Sequence, residues 1–502
     1  MTVSCKNPVI IPKAIMPILL TEPEFQSFRG QLYNEFDRRA DSAMDLLDAL
    51  CSNNHAPSVV HLSLNPLFRG GYSSLFKAIG ERLCTAVSEE EDPVGEAIGL
   101  PKEEQFQCLD LISQVVPHPK QHPFFLFGMD CTSIGRPFAP TLEDRGMIHQ
   151  PTVSKGNKPI TIDHSYSMVA VLPERTEKDA PWTIPLDMSR VPTESSSTLK
   201  GIAQLNVVLS NPNVPWAKEL CVLVVDSAYG NKNFLSPLHT HKNLVIVVRS
   251  RSNRVFYQSP VPCEAPPGKG HPTWYGERFD LKDKETWHEP SAVVETSYQT
   301  SRGRTMNVTI TAWHEMLMRG SKDMAMHLCP FTLLRIESVD ESGRSLFKPM
   351  WLIVMGERRN QISSLQAYQS YRQRFDLEHS FRFQKQNLLL NAFETPDVEH
   401  EQQWVQLVLL AYVQLWAVHF LAVALPLPWQ IYIKTDPSAR ISPSKVQQAW
   451  NRITSQLGTP APAPKPRGKS PGRQFGQTQP LRPRFPVVKK GKSENSAPKV
   501  AA

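Results

Sequence analysis

Leu220-Cys-Val-Leu-Val-Val225 is an unbroken apolar run that stops on an acid, Asp226. With no polar residue at alternate positions, such a strand must be covered on both faces. That is the habit of parallel sheets flanked by helices. Phe124-Phe-Leu-Phe-Gly-Met-Asp130 has the same form and also ends on an acid. Ser165 to Leu172, Trp182 to Leu186, Leu244 to Val248 and Met350 to Met355 read as further strands. Helices are expected from Ser197 to Leu209 and near Phe234 to His239. The alternation predicts an α/β core with two carboxylates at strand ends, where ligand sites of such sheets commonly lie.

A third acid stands in a polar stripe. The spacing predicts a long helix from about Ser363 to Leu390, and Tyr371, Arg374, Glu378, Arg382 and Lys385 fall on one face of it. At about 100° per residue they span an arc of roughly 80°. Taken alone, the stripe could equally be a salt-bridged surface. Arg374–Glu378 and Glu378–Arg382 are both i,i+4 pairs, worth about 0.2–0.5 kcal/mol each. Asp130 and Asp226 likewise have plain alternatives, a turn cap with Thr132 and a helix N-cap. Taken together, three carboxylates around one point would repel one another, and a hard cation such as Mg²⁺ relieves this through oxygen ligands. Paired ions can activate a water or a 3′-hydroxyl and stabilise the leaving oxygen. Neighbouring Arg and Lys would grip phosphates.

Composition divides the chain. Its 502 residues suggest two or three domains, and 40% are hydrophobic. The net charge is +7, yet residues 458–502 alone carry ten Lys/Arg and one acid, so the body is slightly acidic. The eight cysteines are scattered without metal-ligand spacing and read as reduced thiols. Trp404 to Leu425 is long enough to span a membrane, but Gln406, Gln414 and His419 interrupt it, so a buried core helix is expected. A cytoplasmic, nucleoid-associated location follows from that reading. The expected divisions are a helical N-terminal region (1–120) with possible DNA-binding use, a first core segment (121–250), a β-rich insertion (251–345), the end of the core with the Glu378 helix (346–430), and a C-terminal extension (431–502). This last part is expected to be disordered from about residue 457, where prolines and cations leave little to bury.

The spacing Tyr371-x2-Arg374-x3-Glu378-x6-Lys385 resembles the YREK signature of bacterial insertion-sequence DDE transposases. Asp226-Ser-Ala-Tyr229-Gly230 looks like that family's second-aspartate motif, and 152 residues separate Asp226 from Glu378. The resemblance implies a ribonuclease H-like core with a β-rich insertion, and cut-and-paste DNA transposition. It implies Mg²⁺, with Mn²⁺ as a substitute, held by Asp130, Asp226 and Glu378. Tyr371, Arg374 and Lys385 would contact the transposon-end strand. Apart from the resemblance, Arg382 and Tyr229 are candidate DNA contacts, and Arg249 and Arg251, which follow a strand, read equally as the lining of a DNA channel or as a solvated loop. The implied partners are double-stranded DNA, as terminal inverted repeats and target, and a second copy of the chain. Many relatives have another acid after the first aspartate, where this chain has Cys131. A Trp of the insertion stacks on a flipped base in some relatives, and Trp274, Trp287 and Trp313 are candidates. Two other functions fit the same residues: a silent DNA-binding descendant, and a nuclease that cuts without joining.

Overall fold

The computed structural model of the chain describes residues 21–80, 102–149, 160–176, 178–260, 274–300, 303–345, 347–424, 429, 440–464, 472, 474–478 and 480–489. Four helices come first: α1 (Glu22–Asn34), α2 (Ala40–Cys51), α3 (Val59–Leu62) and α4 (Tyr72–Ile79). α5 (Lys102–Ser113) leads to β1 (Phe125–Gly135), β2 (Gly146–His149), β3 (Ile160–Val171) and β4 (Ile184–Val191). α6 (Ser197–Ser210), β5 (Cys221–Val225), α7 (Lys232–Leu238) and β6 (Leu244–Ser250) follow. A β excursion comprises β7 (Val255–Tyr257), β8 (Arg278–Asp280), β9 (Ala292–Gln299), β10 (Thr305–Met316) and β11 (Phe331–Asp340). The chain then returns through β12 (Met350–Met355) to α8 (Ser364–Gln373), α9 (Phe375–Asn387), α10 (Val398–Ala417), α11 (His419–Ala424) and α12 (Pro443–Leu457).

This is a mixed α/β fold around one large sheet, ordered β2-β3-β1-β5-β6-β12-β11-β10-β9, with β4 also on β3. β1, β5 and β6 are parallel, and β3 runs antiparallel to β1. All five residues of β5 are buried, as its apolar run requires. The excursion does not form a separate body. β11 pairs with β12, β12 pairs with β6, and Trp351 lies opposite Ser250.

Helices cover both faces of β1. A Cβ on Gly128 would sit 2.9 Å from Leu377 Cδ1, and one on Gly201 would sit 2.7 Å from Met129 Cε. Neighbouring strand residues point to opposite faces, so α9 packs on the Gly128 side and α6 on the Met129 side. The missing side chain at Gly128 is what lets α9 lie so close.

The N-terminal helices pack onto the same core. Cys51 Sγ lies 3.3 Å from Ala411 O, Asn53 Nδ2 donates to Asn387 O at 3.0 Å, and Phe76 meets Phe393 at 5.9 Å. Trp450 of α12 packs edge-on against Phe25. α10 is buried almost all round; Gln402 and Gln406 both donate to Met188 O, whereas the buried Gln414 amide has no hydrogen-bond partner among the described residues. Among the described residues no helix is long and apolar enough to cross a membrane.

Two expectations are corrected. The stripe helix is not continuous. It breaks at Arg374, where Arg374 N–H bonds Tyr371 O and Leu377 N–H bonds Arg374 O, a tighter i→i−3 pattern. The C-terminal tail is not wholly unstructured either. Phe485 N–H donates to Pro140 O, Val488 N–H donates to Arg145 O, and Arg145 Nη2 donates to Phe485 O. Backbone bonding of this kind needs little apolar surface, and composition does not reveal it.

His419 opens α11 against the rings of Trp416 and Trp182, and burial pushes its pKa down to about 4. An unfolded histidine titrates near 6.5, so between these limits the unfolded chain holds more protons than the folded one. Stability is therefore full above about pH 6.5 and declines towards pH 4, by about 3 kcal/mol at roughly 1.4 kcal/mol per pH unit. His419→Phe is expected to flatten this dependence in urea unfolding at pH 7 and pH 4.5. An unchanged pH slope would exclude His419 as its source.

Candidate active site

The parallel register of β1 and β5 sets two of the acids level. Gly128 with Val224 is the last parallel pair, so Asp130 and Asp226 lie two residues beyond the point where β1 and β5 part. Asp226 follows the end of β5, but Asp130 is not at a strand end as expected, because β1 runs on to Gly135 against β3. Asp130 shares the face of Gly128 and points to the α9 side. Glu378 follows Leu377, the residue that fills the space at Gly128. The first turn of α9 is fixed by Arg175, which donates from Nε to the buried Asp376 carboxylate at 2.7 Å. A capping box of Ser363 with Gln366 starts α8.

Arg374, at the break between α8 and α9, joins the acids. Its Nη1 lies 2.6 Å from Asp130 Oδ2 and its Nη2 lies 3.2 Å from Glu378 Oε1. Asp226 also acts electrostatically on Arg374, Asp130 and Tyr371, so all five groups share one field. Burial pushes the Asp130 carboxyl up; Arg374 and the Cys131 N–H pull it down, and Asp226 raises it again. Burial also raises the Tyr371 phenol, against the pull of Arg374 and Arg249. The Tyr371 ring lies 5.9 Å from the Arg374 guanidinium carbon.

The other expected contacts separate. Lys385 Nζ donates to Ser133 O at 2.8 Å, and burial lowers its pKa. Arg382, Arg249 and Arg251 are exposed. Tyr229 is not at the surface. It is 2% exposed, stacks near Phe234, and its hydroxyl lies 3.3 Å from Cys131 Sγ. Cys131 occupies the strand position after Asp130, so it points to the opposite face of the sheet. The cysteine therefore does not intrude among the acids. Of the tryptophans, Trp287 and Trp313 join Phe279 and Trp351 in one cluster, with Trp313 buried and its N–H on His288 O. Trp274 is 37% exposed and stacks on His327.

Carboxylate oxygens are the ligands that hard divalent cations take, so the donor chemistry of the three acids fits such an ion. As the side chains stand, no group of three His, Cys, Asp or Glu among the described residues is gathered closely enough to hold one. The Arg374 guanidinium lies between Asp130 and Glu378 and offsets part of their charge.

Residues 31–320 match the model of the family described as DDE superfamily endonuclease. The match covers more than half of the chain, and the chain belongs to that family. It begins near the end of α1, includes α2 to α5, Asp130 and Asp226, and ends before Arg374 and Glu378. Membership places the protein among nuclease- and transposase-type enzymes that act on DNA and generally use divalent metals. No curated protein matches the chain.

Proposed function

We propose that the protein is a DNA transposase of the YREK DDE group, cutting DNA at the ends of an insertion sequence and joining the freed ends to target DNA. In this reading β4-β3-β1-β5-β6 is a ribonuclease H-like core, and Asp130, Asp226 and Glu378 are the catalytic acids. The observation that carries it is the meeting of acids from three distant segments around one guanidinium, Arg374. The three carboxylates would hold Mg²⁺, or Mn²⁺ in its place. A divalent ion there would supply charge neutralisation at the scissile phosphate and help deprotonate the attacking water or 3′-hydroxyl.

The chain's own residues do the positioning. Arg374 balances the acids until a phosphate offers its planar fork two better-placed oxygens. Tyr371 braces the guanidinium from one side. Exposed Arg382, one turn beyond Glu378, extends the grip to adjoining phosphates, with half-buried Lys385 a further turn along α9 and Arg249 on the other flank. Two ends must be brought together, so the working form is a homodimer on DNA, at the bacterial nucleoid.

A second reading draws on Arg374 itself. A descendant that binds DNA but no longer cuts would keep the guanidinium locked between Asp130 and Glu378. Incubating the full chain with Mg²⁺ and duplexes bearing the inverted repeats that flank its coding region separates the readings. Cleaved and joined products are expected. Cleavage without joining would leave a nuclease, and binding with no product would favour the silent descendant.

A further inference from the structure

We propose that a basic hollow beside the Asp226 turn binds a phosphodiester of the DNA strand leaving the site. The hollow has a volume of about 300 Å³ and lies between the start of α7 and the β excursion. Lys232, Arg254 and Arg319 line it together with Asn233, and Phe256 and Met318 form an apolar floor. No lining residue is acidic. None of the three cations forms an ion pair among the described residues. Three like charges around one concavity repel one another, and a concave low-dielectric wall concentrates their field on whatever enters. An anion is the occupant that relieves both.

The hollow is tied to the acids. Arg254 Nη2 donates to Gly230 O, at the end of the turn that begins with Asp226, and Lys232 follows Asp226 by six residues. A Cβ on Gly230 would sit 3.0 Å from Arg249 O, so glycine lets this turn lie against the end of β6 without crowding its backbone. Exposed Arg249 and Arg251 bridge the remaining span, and Arg249 is felt at Tyr371. Cations thus run from Arg374 past β6 to Arg319. The volume is at the lower limit of ligand pockets, about 300–1,000 Å³, which suits a sugar-phosphate unit. With the aromatic floor residue Phe256 buried, the hollow offers no stacking surface for a base. A phosphodiester as occupant rests on the DNA reading above, whereas an anion as occupant does not.

The test is the salt dependence of duplex binding by the full chain, read by fluorescence anisotropy with a labelled duplex of arbitrary sequence. Each phosphate contact contributes a slope of about −0.9 in log affinity against log salt. The double variant Lys232→Gln/Arg319→Gln, which removes two of the three cations around that one phosphate, is expected to bind with a slope shallower by about 0.9, equally on inverted-repeat and unrelated duplexes, and to melt at the wild-type temperature. An unchanged slope overturns the proposal. So does calorimetry in which inorganic phosphate loses its binding in the variant while the duplex slope stays, which would make the hollow a small-anion site. A shallower slope in a chain that never cuts DNA would keep the hollow and remove the transposase. Cutting and joining with an unchanged slope would do the reverse.

Discussion

Asp226→Asn is expected to lower DNA cleavage and joining by at least about 10³-fold, or about 4 kcal/mol of transition-state stabilisation, without unfolding the protein. The substitution keeps the shape of the side chain. The hydrogen bond that Asp226 Oδ1 accepts from Ala228 N–H survives on the amide oxygen, so the turn to Gly230 should hold. What disappears is one of three negative charges, and with it an oxygen ligand of full charge. Asp130→Asn should cost a similar factor by another route, since Oδ2 is also the anchor of Arg374. Single-turnover cleavage, divalent-ion binding by calorimetry and thermal melting together check this. Near-wild-type cleavage by Asp226→Asn would end its assignment as a catalytic acid, whatever the fate of the fold.

The largest effect on stability is expected away from the acids. Glu401 of α10 is fully buried, 3.1 Å from Arg136 Nη2 and 2.8 Å from His164 Nδ1. Arg136 stands at the end of β1 and His164 on β3, so one carboxylate pins a helix to two strands. Glu401→Ala should destabilise the protein by about 3–5 kcal/mol, because it strands the buried Arg136 charge with only the carbonyls of Gly135, Asn391 and Phe393. By contrast, Lys242–Glu357 lies largely in solvent, and its loss should be hard to measure. Urea unfolding of both variants makes the comparison. A loss below about 1 kcal/mol for Glu401→Ala would mean that water or a neighbour compensates for the charge.

The sequence carried the local elements well, for physical reasons. The first half of β1 and all of β5 are covered on both faces, so their apolar runs are unbroken and the acids that end those runs stand out, but nothing in the run shows that β1 continues past Asp130 to Gly135. The stripe on α8 and α9 shows because helical periodicity is local. Long-range pairing left no such trace. β6 and β12 are hydrogen-bonded neighbours, yet the whole excursion separates them, and nothing in either strand announces the other. Tyr229 looked like a surface residue because it sits in a polar turn, but its ring folds back under β1 towards Cys131. Lys232 and Arg319 share a hollow only through the fold. Arg175 has no local feature that would link it to Asp376.

Because β12 lies directly on β6, the chain re-enters the sheet beside the point where it departed. Of the hundred or so residues between Ser250 and Met350, β9 to β11 widen the same sheet and support α8, whose Arg372 lies 3.8 Å from the Tyr298 ring, while β7 and β8 pair only with each other in a small separate sheet. Evolution can reshape the β7–β8 part to suit different DNA without disturbing the strands on which α8 rests and hence where Glu378 ends up. Substrate choice and chemistry can then diversify at separate rates on one scaffold.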